Sequence, residues 1–224
     1  MSDNAALMMH SWRVNAQAWI EAVRGDLIES RRVATDDAIV NAAMALKPGR
    51  VLDVGCGEGW LCRVLAAVGV AAVGLDASPE LIAAARQSGG GEFYLASYAE
   101  MAKLQAVIGV FPVIVCNFSL LEEDIGRVLR HLQQYLEPAG SLLIQTLHPG
   151  DGGDDGNRDG WSVESYAGFE ARFTQAMPWY FHSLTSWSAL LTNSGFYIES
   201  FLEPPDPKSG IPLSLLLECK LSES

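Results

Sequence analysis

The segment Arg50–Gly59, with the sequence Arg-Val-Leu-Asp-Val-Gly-Cys-Gly-Glu-Gly, constrains the fold of this 224-residue chain more than any other. An apolar run of strand type includes the acid Asp53, and an apolar helical pattern begins at Trp60. Between them, glycines stand at alternate positions: Gly55, Gly57 and Gly59. Glycine permits positive φ and lets a ligand approach where a Cβ would block it. The free N–H groups at the start of a helix favour an anionic or electron-rich ligand group. The order of strand, glycine turn and helix therefore predicts a ligand-binding turn.

The glycine spacing differs from the dinucleotide fingerprint Gly-x-Gly-x-x-Gly, which admits a pyrophosphate. Here the third glycine comes one residue early, and Trp60 follows it. The carboxylate of Asp53 would repel a pyrophosphate, but it suits a ligand with a cationic amine. The segment from Asp53 to Gly59 resembles motif I of the class I S-adenosylmethionine (SAM) methyltransferases, Asp/Glu-x-Gly-x-Gly-x-Gly, and matches it in full. An NAD-dependent oxidoreductase is the less favoured alternative.

A second acid stands at the end of the next apolar run. Ala71–Leu75 has the pattern of a buried strand, and Asp76 follows it. Ser78 and Pro79 suit the N-cap and the first position of a helix. A carboxylate at the tip of the second strand can accept both hydroxyls of a ribose, as in dinucleotide folds. The resemblance implies this role for Asp76, with Ala77 beside it, and the alternative is an ordinary turn residue.

Further cofactor contacts are implied by the resemblance after the third and fourth strands. Ser97 holds the position of the family's adenine-binding Asp, so its side-chain contact would be weaker, while the backbone N–H of Tyr98 would meet the ring. Asn117 would offer its carbonyl or side chain to the amino group of SAM, and Phe118 would face the sulfonium or pack in the core. The complete set of predicted cofactor-binding residues is Asp53, Gly55, Cys56, Gly57, Gly59, Asp76, Ala77, Ser97, Tyr98, Asn117, Phe118, Ser119, Arg32 and Trp19.

The amino-acid carboxylate of SAM needs a cation or a hydrogen-bond donor. Arg32 is the first candidate, and Arg31 and Arg24 follow it; the alternative is that these arginines are solvated surface residues. Trp12 or Trp19, at helical spacing in the same N-terminal segment, would lie over the cofactor.

Two histidines are candidate catalytic residues. Methyl transfer depends mainly on alignment, and a general base is needed only when the acceptor arrives protonated. His148 ends the fifth predicted strand, and the ordinary pKa of histidine suits a base. The alternative for His148 is a hydrogen bond that holds the following loop. His182, in an aromatic-rich segment, is the second candidate.

The alternation of strands and helices predicts an α/β, Rossmann-like sheet with helices on both faces. The resemblance implies seven mostly parallel strands with the last one antiparallel. The predicted strands are 51–54, 71–75, 93–95, 113–117, 141–146, 196–201 and 213–220, and the main helices are 59–68, 79–87, 122–136 and 184–194. The turn Pro138–Gly140 is predicted to precede the fifth strand. Residues 1–224 are expected to form one domain, with an N-terminal helical lid (1–47) and an aromatic-rich substrate lid (148–183) that begins as a loop over 151–160.

Composition narrows the class of partner. The formal charge is −12 and no basic run appears, so binding to a nucleic-acid backbone is disfavoured. The four cysteines form no Cys-x-x-Cys pair and no His cluster accompanies them, so no metal site is expected. No apolar run reaches the ~18 residues of a membrane span. We expect a cytoplasmic monomer or homodimer that uses SAM, releases S-adenosylhomocysteine (SAH) and methylates a small molecule at oxygen, nitrogen or carbon. The alternative in another class is a catalytically silent SAM-binding regulatory module.

Overall fold

The computed structural model describes residues 3–148, 158–167 and 172–222. Two sheets occur within these ranges. The strands, in chain order, are β1 (Arg50–Val54), β2 (Ala71–Asp76), β3 (Glu92–Leu95), β4 (Phe111–Asn117), β5 (Leu136–Thr146), β6 (Gly160–Glu164), β7 (Met177–Phe181), β8 (Phe196–Leu202) and β9 (Leu215–Leu221). Strands β6 and β7 form a separate antiparallel pair, and the other seven form one sheet in the order β3-β2-β1-β4-β5-β9-β8.

Helices connect most of these strands. Their bounds are α1 (Asp3–Val14), α2 (Ala16–Arg24), α3 (Asp36–Ala45), α4 (Trp60–Ala67), α5 (Pro79–Ser88), α6 (Tyr98–Met101), α7 (Gln105–Ile108), α8 (Gly126–Gln133) and α9 (Leu184–Asn193). A π-helical turn, Arg31–Thr35, leads directly into α3. Ser78 caps α5 by accepting a hydrogen bond from the N–H of Leu81, with Pro79 at the first helical position, as the sequence predicts.

The predicted fold class is confirmed. Strands β1 to β5 pair in parallel, and β9 is antiparallel to both of its neighbours, β5 and β8. Buried side chains cover both faces of the sheet: Leu52 and Ile114 belong to the cluster on one face, and Val51 and Val115 to the cluster on the other. Because helices cover both faces, the central strands are apolar at nearly every position. Their parallel arrangement brings the carboxyl ends of β1 to β5 to one edge.

Three predicted details differ from the structure. The helix expected over 122–136 begins at Gly126 and ends at Gln133, because Leu136 already pairs with Phe111 at the start of β5. The Pro138–Gly140 turn lies inside β5 as an irregularity, since the pairing with β4 shifts between Phe111 and Val113. No strand is predicted between 149 and 183, yet β6 and β7 pair there. Most of the expected loop 151–160 lies outside the described residues.

The N-terminal helices contact the β6–β7 segment through the buried side chain of Asn15. Its Nδ2 donates to the carbonyl of Gln175 at 2.6 Å, and its Oδ1 accepts from the N–H of Thr174 at 3.0 Å. The hydroxyl of Ser11 donates to the same carbonyl at 3.0 Å. These bonds join the two segments that the sequence predicts to be lids. Among the described helices, none is long and apolar enough to cross a membrane.

Candidate active site

The three glycines of the turn after β1 are not required for the same reason. Gly55, Gly57 and Gly59 have φ of 78°, 57° and 81°, which side-chain-bearing residues rarely adopt. A Cβ at Gly55 would clash with the Cβ of Ser119, and one at Gly59 would stand 2.8 Å from the ring of Phe93. At Gly57, no described atom outside its chain neighbours comes within 4 Å of that position. Gly55 and Gly59 are therefore required by packing, while Gly57 presents bare main chain to open space.

Asp76 joins the tip of β2 to this turn. Its Oδ2 accepts a hydrogen bond from the N–H of Gly57 at 2.9 Å, and its Oδ1 accepts one from the N–H of Ser78 at 2.8 Å. Burial raises the pKa of Asp76, and the hydrogen bonds from Ser78 and Gly57 oppose that rise. Each carboxylate oxygen keeps a second lone pair for a ligand hydroxyl. Both roles considered for this residue, the turn contact and a ligand-facing carboxylate, are compatible with this geometry.

Asp53 has a buried oxygen that no described group satisfies. The residue is 2% exposed; its Oδ2 lies 3.7 Å from the Sγ of Cys62, and its Oδ1 lacks a hydrogen-bond partner among the described residues. Burial and then the negative charge of Asp76 raise the pKa of Asp53 to about 7, while Arg31 opposes this rise. A buried acceptor without a donor is costly and rare in native proteins. The ammonium group of an amino-acid ligand would supply the missing donor.

Polar side chains continue from Asp53 along the carboxyl edge on the same face of the sheet. The side chains of Asp53, Asn117 and Gln145 share this face because of the pairing of β1 with β4 and of β4 with β5. The Nε2 of buried Gln145 donates at 2.9 Å both to Asn117 Oδ1 and to the carbonyl of Thr35. Gln145 Oε1 and Thr35 Oγ1 have no hydrogen-bond partner within the described ranges. The side chain of Asn117 is thus held from within the protein, and unsatisfied polar atoms remain beside it.

The segment after β4 returns to the glycine turn. The hydroxyl of Ser119 donates to the carbonyl of Val54 at 2.7 Å, and the hydroxyl of Tyr98 donates to the carbonyl of Ser119 at 2.6 Å. Phe118 is half-buried with φ of 49°. Predicted cofactor residues after β1, β3 and β4 are thereby brought into direct contact with one another.

Ser97 is engaged by a helix cap. Its N–H and its hydroxyl donate to Oε2 of Glu100 at 2.9 and 2.7 Å, which closes a capping box at α6. The hydroxyl oxygen keeps lone pairs that can accept a hydrogen bond. Tyr98 stands at the first position of α6, where a backbone N–H has no partner within the helix.

The three predicted arginines occupy different environments. The guanidinium of Arg31 lies 4.5 Å from the ring centroid of Trp60, and its Nε contacts Asp36 Oδ1 at 2.9 Å. The charge of Arg31 also acts on Asp53. Arg32 is exposed, and Arg24 forms an ion pair with Glu58. Of the three, Arg31 is the one whose charge opposes the rise in the pKa of Asp53.

An aromatic cluster lies beside the carboxyl edge. It contains Met8, Trp12, Trp19, Leu121, Tyr166, Phe173, Met177 and Trp179. Trp12 stacks on Trp19 with ring centroids 5.0 Å apart, and Tyr166 stacks on Phe173 at 4.2 Å. The N–H of Tyr180 donates to the carbonyl of Leu121 at 2.8 Å, which fixes β7 against the segment that follows β4. Trp19 belongs to this cluster.

The two candidate histidines differ in burial and partners. His148 is half-buried, and its Nε2 lies 2.9 Å from Oε1 of the exposed Glu203. His182 is buried; its Nε2 lies 2.9 Å from the carbonyl of Glu122, and its Nδ1 lies 3.3 Å from the hydroxyl of Ser186. Because a carbonyl only accepts, Nε2 carries the proton in that contact. Burial lowers the pKa of His182, so the ring is neutral at pH 7.

Two further residues beside the site, Glu58 and Gln145, were not predicted from the sequence. Glu58, inside motif I, is buried between two arginines. Gln145 is a polar residue in an otherwise apolar strand, and that break in pattern was the available signal. All four cysteines are free and buried, and no group of three or more potential metal ligands occurs within the ranges that the structure describes.

The strand order, with an antiparallel strand inserted between β5 and β8 of an otherwise parallel sheet, is the order of the class I methyltransferase fold. The family model described as a methyltransferase domain matches residues 28–200, and the chain belongs to that family. This membership confirms the resemblance predicted from the sequence, and it makes SAM the cofactor. The open main chain at Gly57, the carboxylate of Asp76 beside it and the unsatisfied Asp53 oxygen fit such a molecule.

Named relatives agree with this assignment. The chain is 33% identical over 116 residues to a ubiquinone biosynthesis O-methyltransferase of Xanthomonas oryzae pv. oryzae, covering 49% of this chain and 47% of the relative. The chain matches about half the length of such curated relatives. A SAM-dependent methyltransferase from Mesorhizobium loti is 24% identical, with a TM-score of 0.60 over 80% of this chain and 95% of that one. The DhpI–SAH complex is 16% identical, with a TM-score of 0.64 over 100% of both chains.

Proposed function

We propose that this protein transfers the methyl group of SAM to a small-molecule acceptor at oxygen, nitrogen or carbon. The observation that carries the proposal is the bare main chain of Gly57, held open next to Asp76 by the 2.9 Å hydrogen bond between them. When bound, SAM supplies a methyl group on a positively charged sulfur, and the protein supplies binding and alignment.

The proposed cofactor contacts follow from the chemistry of each group. Asp76 would accept the ribose hydroxyls, and the free Oδ1 of Asp53 would accept from the ammonium. Arg31, whose charge already acts on Asp53, would bind the carboxylate in preference to the exposed Arg32. The remaining predicted contacts stay part of the proposal: the Gly55–Gly59 turn with Cys56, then Ala77, Ser97, Tyr98, Asn117, Phe118, Ser119 and, over the cofactor, Trp19.

The acceptor would bind between the strand ends and the aromatic cluster. Aromatic side chains suit a flat or apolar molecule, and their packing against α1 and α2 would exclude water from the transfer. The relatives named as ubiquinone biosynthesis O-methyltransferases favour a hydroxyl acceptor. In this proposal, segments 1–47 and 148–183 act together as the lid, since Asn15 already joins them.

A hydroxyl acceptor must lose a proton, and the two histidines offer different routes. His148 would take the proton. The carboxylate of Glu203, whose Oε1 lies 2.9 Å from Nε2 of His148, would stabilise the positive charge that the ring then carries. His182 has both ring nitrogens engaged, so it would act as a base only if the Ser186 hydroxyl turned away. The proposal assigns the base to His148 first, because His148 lies just after β5 at the carboxyl edge of the sheet, whereas burial lowers the pKa of His182 and makes it the weaker base.

Isothermal titration of the purified protein with SAH, SAM and NAD tests the proposal. We expect binding of SAH and SAM and none of NAD, followed by methyl transfer to a member of a panel of phenols, amines and carbon acids. A protein that binds NAD and does not bind SAH would overturn the proposal. Tight binding of SAM without transfer to any acceptor would instead support the silent regulatory module. A cytoplasmic location, a monomeric or homodimeric state and the lack of nucleic-acid and membrane partners stay predictions.

A further inference from the structure

Glu58 is a buried acid inside the cofactor turn, between the two glycines that shape it. The residue is 2% exposed, and both of its carboxylate oxygens form ion pairs. Its Oε2 lies 2.7 Å from Nε of Arg24, and its Oε1 lies 2.5 Å from Nη2 of Arg63. A buried carboxylate is stable only when it is paired and hydrogen-bonded in this way.

The two arginines connect the turn to different parts of the protein. Arg63, one turn into α4, also donates from Nη1 to the carbonyl of Glu58 at 2.7 Å, so it holds both the side chain and the backbone of this residue. Arg24 is the last residue of α2, and its Nη2 also donates to the carbonyl of Ala84 at 3.2 Å and the hydroxyl of Ser88 at 2.7 Å. Through Arg24, α2 is tied at once to the glycine turn and to α5.

We propose that Glu58 is a positioning residue that couples the docking of helix α2 to the shape of the cofactor turn, through Arg24 and Arg63. The inference rests on the proposed SAM site at Gly57. Glycines on both sides of Glu58 give the turn unusual conformational freedom, which a ligand would have to restrict when it binds. Ion pairs that fix the turn in advance remove part of that cost and raise affinity. By reciprocity, cofactor binding then stabilises the docked position of α2, within the proposed N-terminal lid.

The test uses Arg24→Met, because Arg24 is 39% exposed and its loss leaves Glu58 paired with Arg63. Glu58→Gln keeps the size of the side chain, removes its charge and replaces one of the two accepting oxygens with an NH2 donor. Arg50→Met is the matched control, since the guanidinium of Arg50 lies 4.3 Å from the ring of Phe111 at the opposite, amino end of β1. Each variant is measured by titration with SAH, by thermal unfolding and by hydrogen exchange with and without SAH.

We expect Arg24→Met and Glu58→Gln each to weaken SAH binding about tenfold, and the double variant to weaken it by much less than the product of the two effects. Arg50→Met is expected to bind SAH as the wild type does. In Arg24→Met and in Glu58→Gln, the KM for SAM would rise while kcat is retained. A general loss of stability would not produce this combination. In the wild type, SAH would protect amides of α2 as well as those of the turn, and in Arg24→Met it would protect the turn alone.

The hydrogen-exchange comparison without ligand separates this inference from the proposed function. Arg24→Met is expected to speed exchange at the amides of residues 55–59, and Arg50→Met is not. Failure of the wild type to bind SAH would overturn the proposed function, while this comparison would still report the coupling. Folded Arg24→Met that binds SAH normally, or that shows no faster exchange in the turn, would overturn the inference.

Discussion

The carboxylate of Asp76 accepts a hydrogen bond from the backbone N–H of Gly57 at 2.9 Å, across 19 positions of the chain. Asp76 is the last residue of β2, and Gly57 lies in the turn that follows β1. These neighbouring parallel strands pair Val54 with Leu75, which brings the turn beside the tip of β2. The bond orients the carboxylate beside the part of the turn that lacks a Cβ. This pair defines where the cofactor would lie, and the first two predictions address its two members.

Replacing Asp76 with Ala removes the proposed acceptor of both ribose hydroxyls. Because a hydrogen bond to a charged group contributes about 1.5–3 kcal/mol, we expect SAH affinity to fall by roughly 10- to 150-fold, as measured by calorimetric titration. Glu199→Ala, which changes an exposed acid on β8, is the control. Unchanged affinity in folded Asp76→Ala protein would exclude the ribose role.

Replacing Gly57 with Ala places a Cβ in the space proposed for the cofactor. The strain of a positive φ costs roughly 1–2 kcal/mol of stability, so the control must share that strain. Gly69 has φ of 86° and the same open surroundings within the described residues, but it follows α4. We expect Gly57→Ala and Gly69→Ala to lose similar stability and only Gly57→Ala to lose SAH affinity. Equal affinities in the two variants would refute a close approach to the main chain.

The raised pKa of Asp53 predicts a pH dependence of stability. The pKa of this carboxyl is about 7 in the folded protein, against an ordinary value of 3.8 for a solvated aspartate. Between these values the folded state holds a proton that the unfolded chain has released, so the contribution of Asp53 to the free energy of unfolding falls as pH rises through this window. Denaturant unfolding from about pH 4 to about pH 7 should show this decline in the wild type and a smaller one in Asp53→Asn. The same slope in both proteins would contradict the assignment.

The same carboxyl predicts a pH dependence of binding. If a ligand ammonium pairs with ionised Asp53, binding releases the proton from this residue, and SAH affinity rises as pH increases through about 7. Calorimetric titration in two buffers with different ionisation enthalpies measures the number of protons that are released when SAH binds. Asp53→Asn should bind without that release, and an identical proton count in both proteins would speak against the ammonium contact.

Replacing His148 with Ala tests the proposed base. A general base contributes about 10²–10⁴-fold to rate, so kcat for a hydroxyl acceptor should fall by at least roughly 100-fold while SAH affinity is retained. His10→Ala, on the exposed side of α1, is the control. Normal turnover in His148→Ala would remove this residue from the mechanism and direct attention to His182.

Replacing Asn15 with Ala tests whether the N-terminal helices and the β6–β7 segment act together. The change removes the buried Asn15 side chain together with its hydrogen bonds to the carbonyl of Gln175 and the N–H of Thr174, and it should destabilise the protein by about 1–3 kcal/mol. We expect kcat/KM for the acceptor to fall while SAH affinity changes little. Gln17→Ala, which removes a contact with Glu21 on the exposed face of α2, is the matched control. Retained kcat/KM would separate the aromatic cluster from acceptor binding.

Much of the fold was predictable because its signals are local. Short apolar runs with a glycine turn or a capped helix after them fixed β1, α4, β2 and α5 to within a residue or two. The bounds of α8 and β5 were not predicted correctly, because they depend on the pairing of Leu136 with Phe111, which lie far apart in the chain. The β6–β7 pair was missed for a related reason: its short strands are stabilised by contacts with α1 and Leu121, which periodicity does not report.

The residues of the candidate site also divide into those with a local sequence signal and those whose role depends on distant parts of the chain. Asp53 and Gly57 were predicted from a motif whose chemistry depends on fixed spacing, and Asp76 was predicted from the end of the next apolar run. The roles of Glu58 and Gln145 depend on Arg24, Arg63, Asn117 and Thr35, which fold next to them from other elements. A buried charge can be recognised only when its partners are known, and a sequence does not say which arginine of several will reach it. From the sequence we placed Arg32 before Arg31 without this information, and the role of Arg31 is part of the proposal.

The most direct test of the account is a crystal structure of the protein with SAH. We expect the nucleoside to lie against the main chain of Gly57, with both ribose hydroxyls bound to the Asp76 carboxylate and the amino group near Asp53. Electron density for SAH elsewhere, or a Gly57 surface closed by protein side chains, would contradict it.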